Sequence, residues 1–220
     1  GISKSSLAGF CAAQALSTRN DDPEHACRPF DRDRDGFVMG EGATCMIVED
    51  LDYALQRRAP ILAEIAGIGL SGDAHHITEP APDGAGAALC MRNALADAGM
   101  SPGDIDYINA HAPGTPAGDS SEAGAILNVF GRSDVPISST KPVHGHMLGA
   151  TGTTELALCI KAMEEGVIPH TLNCDHLDPV AEGLNVVRGE PLQQPVNVAM
   201  SNSFGFGGHN VTIIVKKYQA

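Results

Sequence analysis

Apolar and polar residues after residue 60 alternate between short apolar runs and longer stretches with helical spacing. The run 61–71 (ILAEIAGIGLS) is typical of a long strand, and the alanine-rich stretch 84–98 predicts a helix that ends at Gly99. A helix is also predicted at 119–130, with Asp119 as its N-cap and Glu122 three residues on, an aspartate version of the capping box. The same pattern predicts strands at 105–110, 135–139, 196–201 and 211–216 and a long helix at 145–165. Strands alternating with helices predict a layered α/β fold with a mixed sheet.

The first 60 residues follow a less regular pattern. A short helix is predicted at 6–17, followed by a turn-rich stretch that reaches residue 35. The segment 36–50 (GFVMGEGATCMIVED) is punctuated by glycines and then rich in β-formers, so it predicts a pair of strands around a tight bend. Residues 51–58 predict a helix that Pro60 stops.

Composition argues against nucleic-acid binding and against a membrane-spanning segment. The 220 residues carry a formal net charge of −13, lack tryptophan and contain only 4% aromatic residues. A negative field repels a phosphate backbone and base stacking needs aromatic side chains, so no nucleic-acid partner is expected. No run of about 18 apolar residues occurs, so no membrane-spanning segment is expected. The six cysteines form no CxxC pair, which favours reduced thiols in a cytosol-like compartment.

Three polar, glycine-containing loops carry the candidate chemistry. They are residues 109–119 (NAHAPGTPAGD), 138–146 (SSTKPVHGH) and 202–210 (NSFGFGGHN). The first two follow predicted strands, and open α/β sheets place their binding sites outside the carboxyl ends of strands. These two loops also deliver His111 and His146. Two imidazole N–H groups can hold a carbonyl oxygen on which negative charge develops.

Three other patterns are set aside. Residues 31–36 (DRDRDG) resemble the start of a calcium-binding EF-hand loop, but the twelfth position is Gly42 rather than glutamate. Residues 205–210 imitate a dinucleotide fingerprint, but a strand is predicted after them where a pyrophosphate needs a helix N-terminus. The nine histidines include no HExxH helix and no cysteine pairs accompany them, so no metal site is predicted.

Taken together, the three loops resemble the C-terminal motifs of the elongating β-ketoacyl-[acyl-carrier-protein] synthases of fatty-acid synthesis. The shared motifs are NAHxxxTPxGD, SSTKxxxGHxLGAxG and NSFGFGGHN, in this order. The upstream segments ALSTRND and RPFDRDRDGFVMGEGA are similar to the same family, so the resemblance covers nearly the whole chain. The GFGGHN ending and the alanine after His111 look most like the bacterial and plastid enzymes.

The resemblance implies an acyltransferase that carries out a decarboxylative Claisen condensation of malonyl–acyl carrier protein with an acyl thioester. By resemblance, His111 and His146 are the catalytic histidines, which polarise the malonyl thioester carbonyl and stabilise the enolate left after carbon dioxide departs. Lys141 would organise the site with Glu155 as its partner. Without the resemblance, Lys141 reads equally well as a solvated loop lysine, and Glu155 as a surface charge.

The resemblance also assigns supporting and substrate-binding residues. Two acidic side chains would support the His111 loop, one phenylalanine would gate the acyl pocket with another close by, and a glycine would let the substrate approach. The corresponding positions are Asp119, Glu122, Phe206, Phe204 and Gly207. Taken without the family, both phenylalanines are equally consistent with core packing.

The sequence departs from the family pattern in two places. Two threonines after the first histidine usually grip the phosphopantetheine arm; here Pro113 replaces the first, while Thr115 keeps the second. Proline has no hydroxyl and no backbone N–H, so one contact to the arm is expected to be missing. None of the six cysteines matches the family's nucleophile. Cys11 is followed by alanines as a nucleophile would be, but it falls in the helix that precedes ALSTRND. The chain is therefore predicted to begin after the nucleophile, as a processed product, fragment or split chain, and to complete no condensation alone.

The resemblance implies an incomplete thiolase-like α/β fold. Residues 1–58 would be the end of the N-terminal half, and residues 59–220 the C-terminal half. Two alternatives remain: a non-catalytic partner subunit similar to a chain-length factor, and a truncated, inactive fragment that folds by pairing with an N-terminal half.

The resemblance further implies the partners and the compartment. The expected partners are acyl carrier protein and either the missing N-terminal half or another synthase chain, with a homodimer in the intact enzyme. No cofactor is expected besides the phosphopantetheine of the carrier protein, and no metal. The expected compartment is the bacterial cytoplasm or the plastid stroma.

Overall fold

A six-stranded mixed sheet forms the centre of the computed structural model, which describes residues 1–132 and 134–219. Its strands and those of a two-stranded sheet are β1 (Glu64–Gly72), β2 (Tyr107–Asn109), β3 (Pro136–Ser138), β4 (Val167–Ile168), β5 (Asn185–Val186), β6 (Leu192–Gln193), β7 (Val198–Gly205) and β8 (His209–Lys216). The α-helices of the described residues are α1 (Lys4–Ala12), α2 (Leu51–Gln56), α3 (Ala85–Ala98), α4 (Pro116–Phe130), α5 (Lys141–His144) and α6 (Thr151–Glu165).

The strand order of the large sheet is β1-β8-β7-β2-β3-β5. The pairs β7/β2, β2/β3 and β3/β5 are parallel, whereas β1/β8 and β7/β8 are antiparallel. Strands β4 and β6 form the separate antiparallel pair. The mixed sheet that the alternation of elements predicts is therefore confirmed.

Helices cover both faces of the large sheet. Tyr107 and Ala199 contribute to the core that α6 builds on one face, while their neighbours Ile108 and Met200 contribute to the core under α3 and α4 on the other. Successive side chains of a strand point to opposite faces, so the fully apolar runs of β2 and β7 suit strands that are buried on both sides. The sheet is thus the middle of three layers.

Two glycines in β1 explain how closely α3 packs on the sheet. A Cβ at Gly67 would lie 2.5 Å from the carbonyl oxygen of Ala94, and one at Gly69 would overlap the carbonyl oxygen of Cys90. Both neighbours are backbone atoms of α3, which cannot move aside without disturbing the helix. The alternation of glycine with larger residues in this strand therefore serves helix–sheet contact.

Most predicted elements are confirmed to within a few residues. The strands predicted after residue 60 correspond to β1, β2, β3, β7 and β8, and Gly99 ends α3 with a left-handed φ of 64°. The first helix is shorter than predicted, because Gln14 adopts a positive φ of 54° soon after its end. The third loop is shorter as well, since β7 and β8 form a hairpin that leaves only residues 206–208 as its turn.

Two predicted elements, the strands of residues 36–50 and the start of the helix at 119, are wrong. Residues 36–50 form no strands: two single bridges, at Phe37 and Met39, replace them, and Ile47 is 77% exposed. The β-formers of residues 41–50 have no adjacent strand in the described part of the chain. Helix α4 starts earlier than predicted, with Thr115 as its N-cap, so Asp119 lies in its first turn instead of capping it.

The long helix predicted at 145–165 is interrupted. Residues 148–150 form a turn of 3-10 helix in which Leu148 has a left-handed φ of 53°, and α6 begins only at Thr151. This break separates His146 from the helix. His146 therefore lies in the loop between α5 and the 3-10 turn.

Candidate active site

The first histidine loop leaves the sheet at the end of β2. All of β2 is buried, and the backbone N–H of Ala110 still bonds to Ser138 of the neighbouring parallel strand at 2.9 Å. The backbone N–H groups of His111 and Ala112 then donate to the two carboxylate oxygens of Glu122, at 2.9 and 2.7 Å. The structure therefore places Glu122 as a support of this loop.

Asp119 holds the same loop from the first turn of α4. Its Oδ1 accepts the backbone N–H of Gly114 at 3.0 Å, and its Oδ2 accepts that of Phe30 at 2.9 Å. Burial raises the pKa of Asp119 to about 6, and Arg34 is the largest opposing influence. Burial likewise raises the pKa of Glu122 to about 7, which its backbone N–H donors oppose.

Lys141 and Glu155 form an ion pair beneath the first loop. Lys141 follows β3, Glu155 lies in α6, and the side chains of both are 0% exposed. The Lys141 Nζ lies 2.6 Å from Oε1 of Glu155 and also donates to the backbone oxygen of His111. Neither residue is therefore a solvated surface charge.

His146 is held by its backbone and by one ring nitrogen. Its N–H donates to Val38 at 2.7 Å, and its carbonyl accepts the N–H of Gly40 at 3.0 Å, so the segment before residue 41 runs beside it. Its Nδ1 accepts the backbone N–H of Leu148 at 3.3 Å and lies 3.1 Å from the hydroxyl of Thr151. A ring nitrogen that accepts carries no proton, so the neutral imidazole bears its hydrogen on Nε2.

The two histidines meet edge to face. Their ring centroids lie 5.3 Å apart, although 35 positions separate them in sequence. Burial, and next the positive charge of Lys141, lower the pKa of His146 to about 3. The same causes, in the same order, place the pKa of His111 well below its ordinary value. Both imidazoles are therefore neutral at pH 7 and present N–H donors rather than charges.

Phenylalanines flank the histidine pair. The ring of Phe204 lies 6.0 Å from that of His111, and the ring of Phe37 lies 5.1 Å from that of His146. The ring of Phe206 is 45% exposed in the β7–β8 turn, beside Gly207, and lies 6.1 Å from that of Phe10. Packing in the core is thus the wrong description of Phe206, whereas Phe204 also packs against the main core.

The sequence patterns did not single out Phe37, Phe10 or Asn202. Asn202 donates from Nδ2 to Glu122 Oε1 at 3.1 Å and so belongs to the support of the first loop. Both Phe37 and Asn202 lie inside motifs quoted above, which was the available signal. Their roles depend on contacts between residues at least 80 positions apart, which the spacing within a motif does not reveal.

Thr115, which is predicted to bind the phosphopantetheine arm, is the N-cap of α4. The Thr115 Oγ1 accepts the backbone N–H of Gly118 at 3.2 Å, which leaves its hydroxyl hydrogen to donate. Pro113 is buried, and its carbonyl faces the thiol of Cys27 at 3.9 Å.

Among residues 1–132 and 134–219, no three His, Cys, Asp or Glu side chains are grouped to hold a metal ion. Each helix in those ranges is too short or too polar to cross a membrane. The aspartates of residues 31–36 instead bind nearby backbone and arginines, as Asp31 does with Arg28 at 3.6 Å.

Two family descriptions match the chain. Residues 62–175 match the C-terminal domain of beta-ketoacyl synthases, and residues 2–54 match their N-terminal domain. The chain belongs to the beta-ketoacyl synthase family. The two ranges fall on either side of the division predicted at residues 58 and 59, which itself stays a prediction.

Curated relatives are similar along the whole chain. A 3-oxoacyl-[acyl-carrier-protein] synthase 2 of Synechocystis sp. is 49% identical over 220 residues, which is 99% of this chain and 53% of that protein. The corresponding protein of Coxiella burnetii is 48% identical over 213 residues, 96% of this chain and 51% of the relative. The chain thus spans about half the length of the curated relatives it matches.

Solved structures of this family share the fold. A beta-ketoacyl synthase from Burkholderia phymatum is 39% identical and superposes with a TM-score of 0.95, covering 99% of this chain and 53% of that one. A type II PKS ketosynthase in complex with its acyl-carrier protein is 33% identical, also with a TM-score of 0.95 and with 99% and 54% covered. The fold is therefore thiolase-like α/β, as the sequence predicts.

Proposed function

We propose that this chain supplies the decarboxylation machinery of a β-ketoacyl-acyl-carrier-protein synthase of fatty-acid elongation. The observation that carries the proposal is the pair of neutral imidazoles 5.3 Å apart, with the Lys141–Glu155 ion pair directly behind them. The names of the Synechocystis and Coxiella relatives support the acyl carrier protein as the carrier of the substrate.

The histidines act on the malonyl thioester. The Nε2–H of His146 donates to the thioester carbonyl oxygen, and His111 supplies a second donor from the other side. The bond between the α-carbon and the carboxylate breaks, carbon dioxide leaves, and the electron pair forms an enolate. Its oxygen carries the negative charge between the two N–H groups, where fixed donors stabilise it most effectively.

Lys141 keeps this arrangement in its working protonation state. Its ammonium group repels a proton on either imidazole, which is why its charge lowers both histidine pKa values. It also binds the His111 carbonyl and so fixes the loop from below. Glu155 balances the buried charge of the lysine.

The remaining predicted residues serve the substrate. Phe206 gates the acyl pocket with Phe204 beside it, Gly207 gives the turn its left-handed φ of 83°, and the Thr115 hydroxyl donates to the phosphopantetheine arm. Because Pro113 offers no second donor, this arm is held by fewer contacts than a threonine would allow. We propose acyl carrier protein as the partner, a homodimer as the intact enzyme, no further cofactor or metal, and the bacterial cytoplasm or plastid stroma as its compartment.

The test is malonyl decarboxylation in a reconstituted enzyme. The chain is combined with the part of the Synechocystis synthase that the match leaves uncovered, and conversion of malonyl–acyl carrier protein to acetyl–acyl carrier protein is measured. His146→Ala removes one of the two donors and is expected to slow the reaction by a factor of about 100 to 1,000. His25→Ala, an exposed histidine bound to Asp22, is the matched control and should leave the rate unchanged.

The same assay separates the alternative function. A chain of a solved ketosynthase/chain length factor is 37% identical to this chain with a TM-score of 0.92, which keeps a partner subunit as the second candidate. A non-catalytic subunit would give no decarboxylation in this assay, even with His111 and His146 both intact. A decarboxylation rate that His146→Ala leaves unchanged would instead refute the role given to that histidine.

A further inference from the structure

Arg34 is a buried arginine, and one side of its guanidinium faces the start of α4. Its side chain is only 3% exposed. The Nη2 group donates to the Pro116 carbonyl at 3.0 Å and to the Ser120 hydroxyl at 2.8 Å. The Nε group donates to the Thr115 carbonyl at 3.3 Å and lies 3.7 Å from Oδ2 of Asp119. One side chain therefore contacts the N-cap and three residues at the start of this helix.

The other side of the guanidinium is tied to two further segments. Nη1 donates to the Asp31 carbonyl at 2.9 Å and to the carboxylate of Asp178 at 2.5 Å. Asp178 in turn donates its backbone N–H to the Phe30 carbonyl at 2.9 Å. Arg34 thus joins residues 30–34, the start of α4 and the turn at residue 178 into one unit.

Asp119 connects this unit to the histidine loop. It accepts the backbone N–H of Gly114, three residues after His111, and the Gly114 carbonyl accepts the N–H of Gly36. Both polar groups of Gly114 are therefore fixed, one of them by a carboxylate that faces Arg34. A displaced guanidinium would release the carboxylate, and with it the backbone between His111 and Thr115.

We infer that Arg34 is a positioning residue, which sets the backbone of residues 111–115 so that His111 and the Thr115 hydroxyl face one substrate. The inference rests on the proposed function. The role requires arginine, because a lysine ammonium cannot donate in one plane to acceptors that diverge from a fork. Arg34 touches no reacting atom and acts through Asp119 and Thr115.

The charge of Arg34 also controls the protonation of Asp119. Burial raises the pKa of Asp119, and the influences that oppose it are Arg34, the N–H groups of Phe30 and Gly114, and Lys141. The carboxylate of Asp178 shares Arg34 with this group, that of Asp31 lies 3.6 Å from Arg28, and Glu122 lies one turn further along α4. The nearby thiols Cys27 and Cys174 are neutral, since burial raises the pKa of each to about 12.

The sign of the effect follows. A lysine at position 34 keeps the unit charge but cannot reach all of the acceptors of the guanidinium, so its charge lies farther from Asp119. The pKa of Asp119 then rises, and its carboxylate is lost at a higher pH. A protonated carboxyl accepts the Gly114 N–H less well, so the loop loosens as the pH falls. Arg34→Lys is expected to move this loosening to higher pH.

The experiment follows the Gly114 amide of the ¹⁵N-labelled chain by NMR between pH 8 and 5. In Arg34→Lys, the midpoint of its pH-dependent shift should rise by about one pH unit, and its hydrogen exchange at pH 7 should quicken at least about tenfold. Asp119→Asn should remove the pH dependence. Arg32→Lys, an exposed arginine 3.7 Å from Asp33, is the control and should change neither.

An unchanged midpoint and exchange rate in a folded Arg34→Lys chain would overturn the inference. If Arg34→Lys does not fold, Asp178→Asn replaces it: it removes one anchor of the guanidinium, so the hydrogen exchange of the Gly114 amide should quicken by less than in Arg34→Lys, and an unchanged exchange rate would overturn the inference. In the reconstituted enzyme, Arg34→Lys should raise KM for the carrier-protein substrate more than it lowers kcat. Because the NMR measurement needs no catalysis, an inactive enzyme with a shifted Gly114 midpoint would reject the proposed function and leave the positioning role standing.

Discussion

At the scale of single residues, the ion pair of Lys141 and Glu155 carries a large desolvation penalty. Both side chains are fully buried, and burial alone raises the pKa of Glu155 against the opposing influence of Lys141. Two charges taken out of water recover their loss of hydration only while they stay together. The pair is therefore poor evidence for stability, and its position beneath His111 points to the chemistry instead.

Removing one partner of this pair should be strongly destabilising. Lys141→Met leaves the Glu155 carboxylate buried and unpaired, so the free energy of unfolding should fall by about 3–5 kcal/mol in urea denaturation. Adding Glu155→Gln should recover much of the loss. Lys161→Met, in an exposed pair with Glu165, is the control and should have no resolvable effect. An equal effect of the two single variants would contradict the burial argument.

At the scale of elements, the contact between residues 36–40 and the His146 loop holds the two halves of the site together. Val38 and Gly40 bond to the backbone of His146 from either side. A Cβ at Gly40 would overlap the carbonyl oxygen of His144, so no larger residue fits without separating the two segments. The glycine is thus required by a close approach of backbones.

Gly40→Ala should therefore destabilise the chain and displace His146. Overpacking against backbone costs about 1–3 kcal/mol, measured as a lower urea midpoint, and the His146 ring signals should shift in the NMR spectrum. Gly9→Ala in α1 is the matched substitution, because nothing lies within 4 Å of its added Cβ. That change should be neutral or stabilising by about 0.5–1 kcal/mol. A Gly40→Ala chain as stable as Gly9→Ala would rule out the close contact.

Element types were predictable wherever a local pattern decided them. The apolar run of β1, the glycine end of α3 and the strands before His111 and Lys141 follow from residues that are neighbours in sequence. The break at Leu148 and the cap at Thr115 did not, because contacts with distant segments and competing turn chemistry outweigh helix propensity there. The strand prediction for residues 41–50 was wrong because β propensity forms no sheet without an adjacent strand to pair with.

At the scale of the whole molecule, many large apolar side chains of the described residues are exposed, among them pairs before α2 and on β1. Ile47 and Val48 are 77% and 66% exposed, and Ile68 and Leu70, on the edge strand β1, are 46% and 63% exposed. Exposed apolar side chains commonly mark an interface where they adjoin one another. The site residues were predictable because they lie in motifs, whereas this surface follows from the packing of the entire chain.

The isolated chain should therefore bind a hydrophobic dye such as ANS in its folded state. Ile68→Thr with Leu70→Thr should lower the fluorescence, because both side chains leave the sheet surface, while the urea midpoint should change little. Ile77→Ser, an exposed loop residue, is the control. A folded monomer with no dye binding would be at odds with the exposed surface.

The central claim is that two neutral imidazoles present N–H donors to one carbonyl oxygen. The most direct measurement is an NMR titration of the chain with ¹⁵N-labelled histidine from pH 8 to 5. The claim predicts that His111 and His146 take up no proton in this range and that His146 carries its hydrogen on Nε2. A midpoint near 6.5 for either ring, or a hydrogen on Nδ1 of His146, would contradict it.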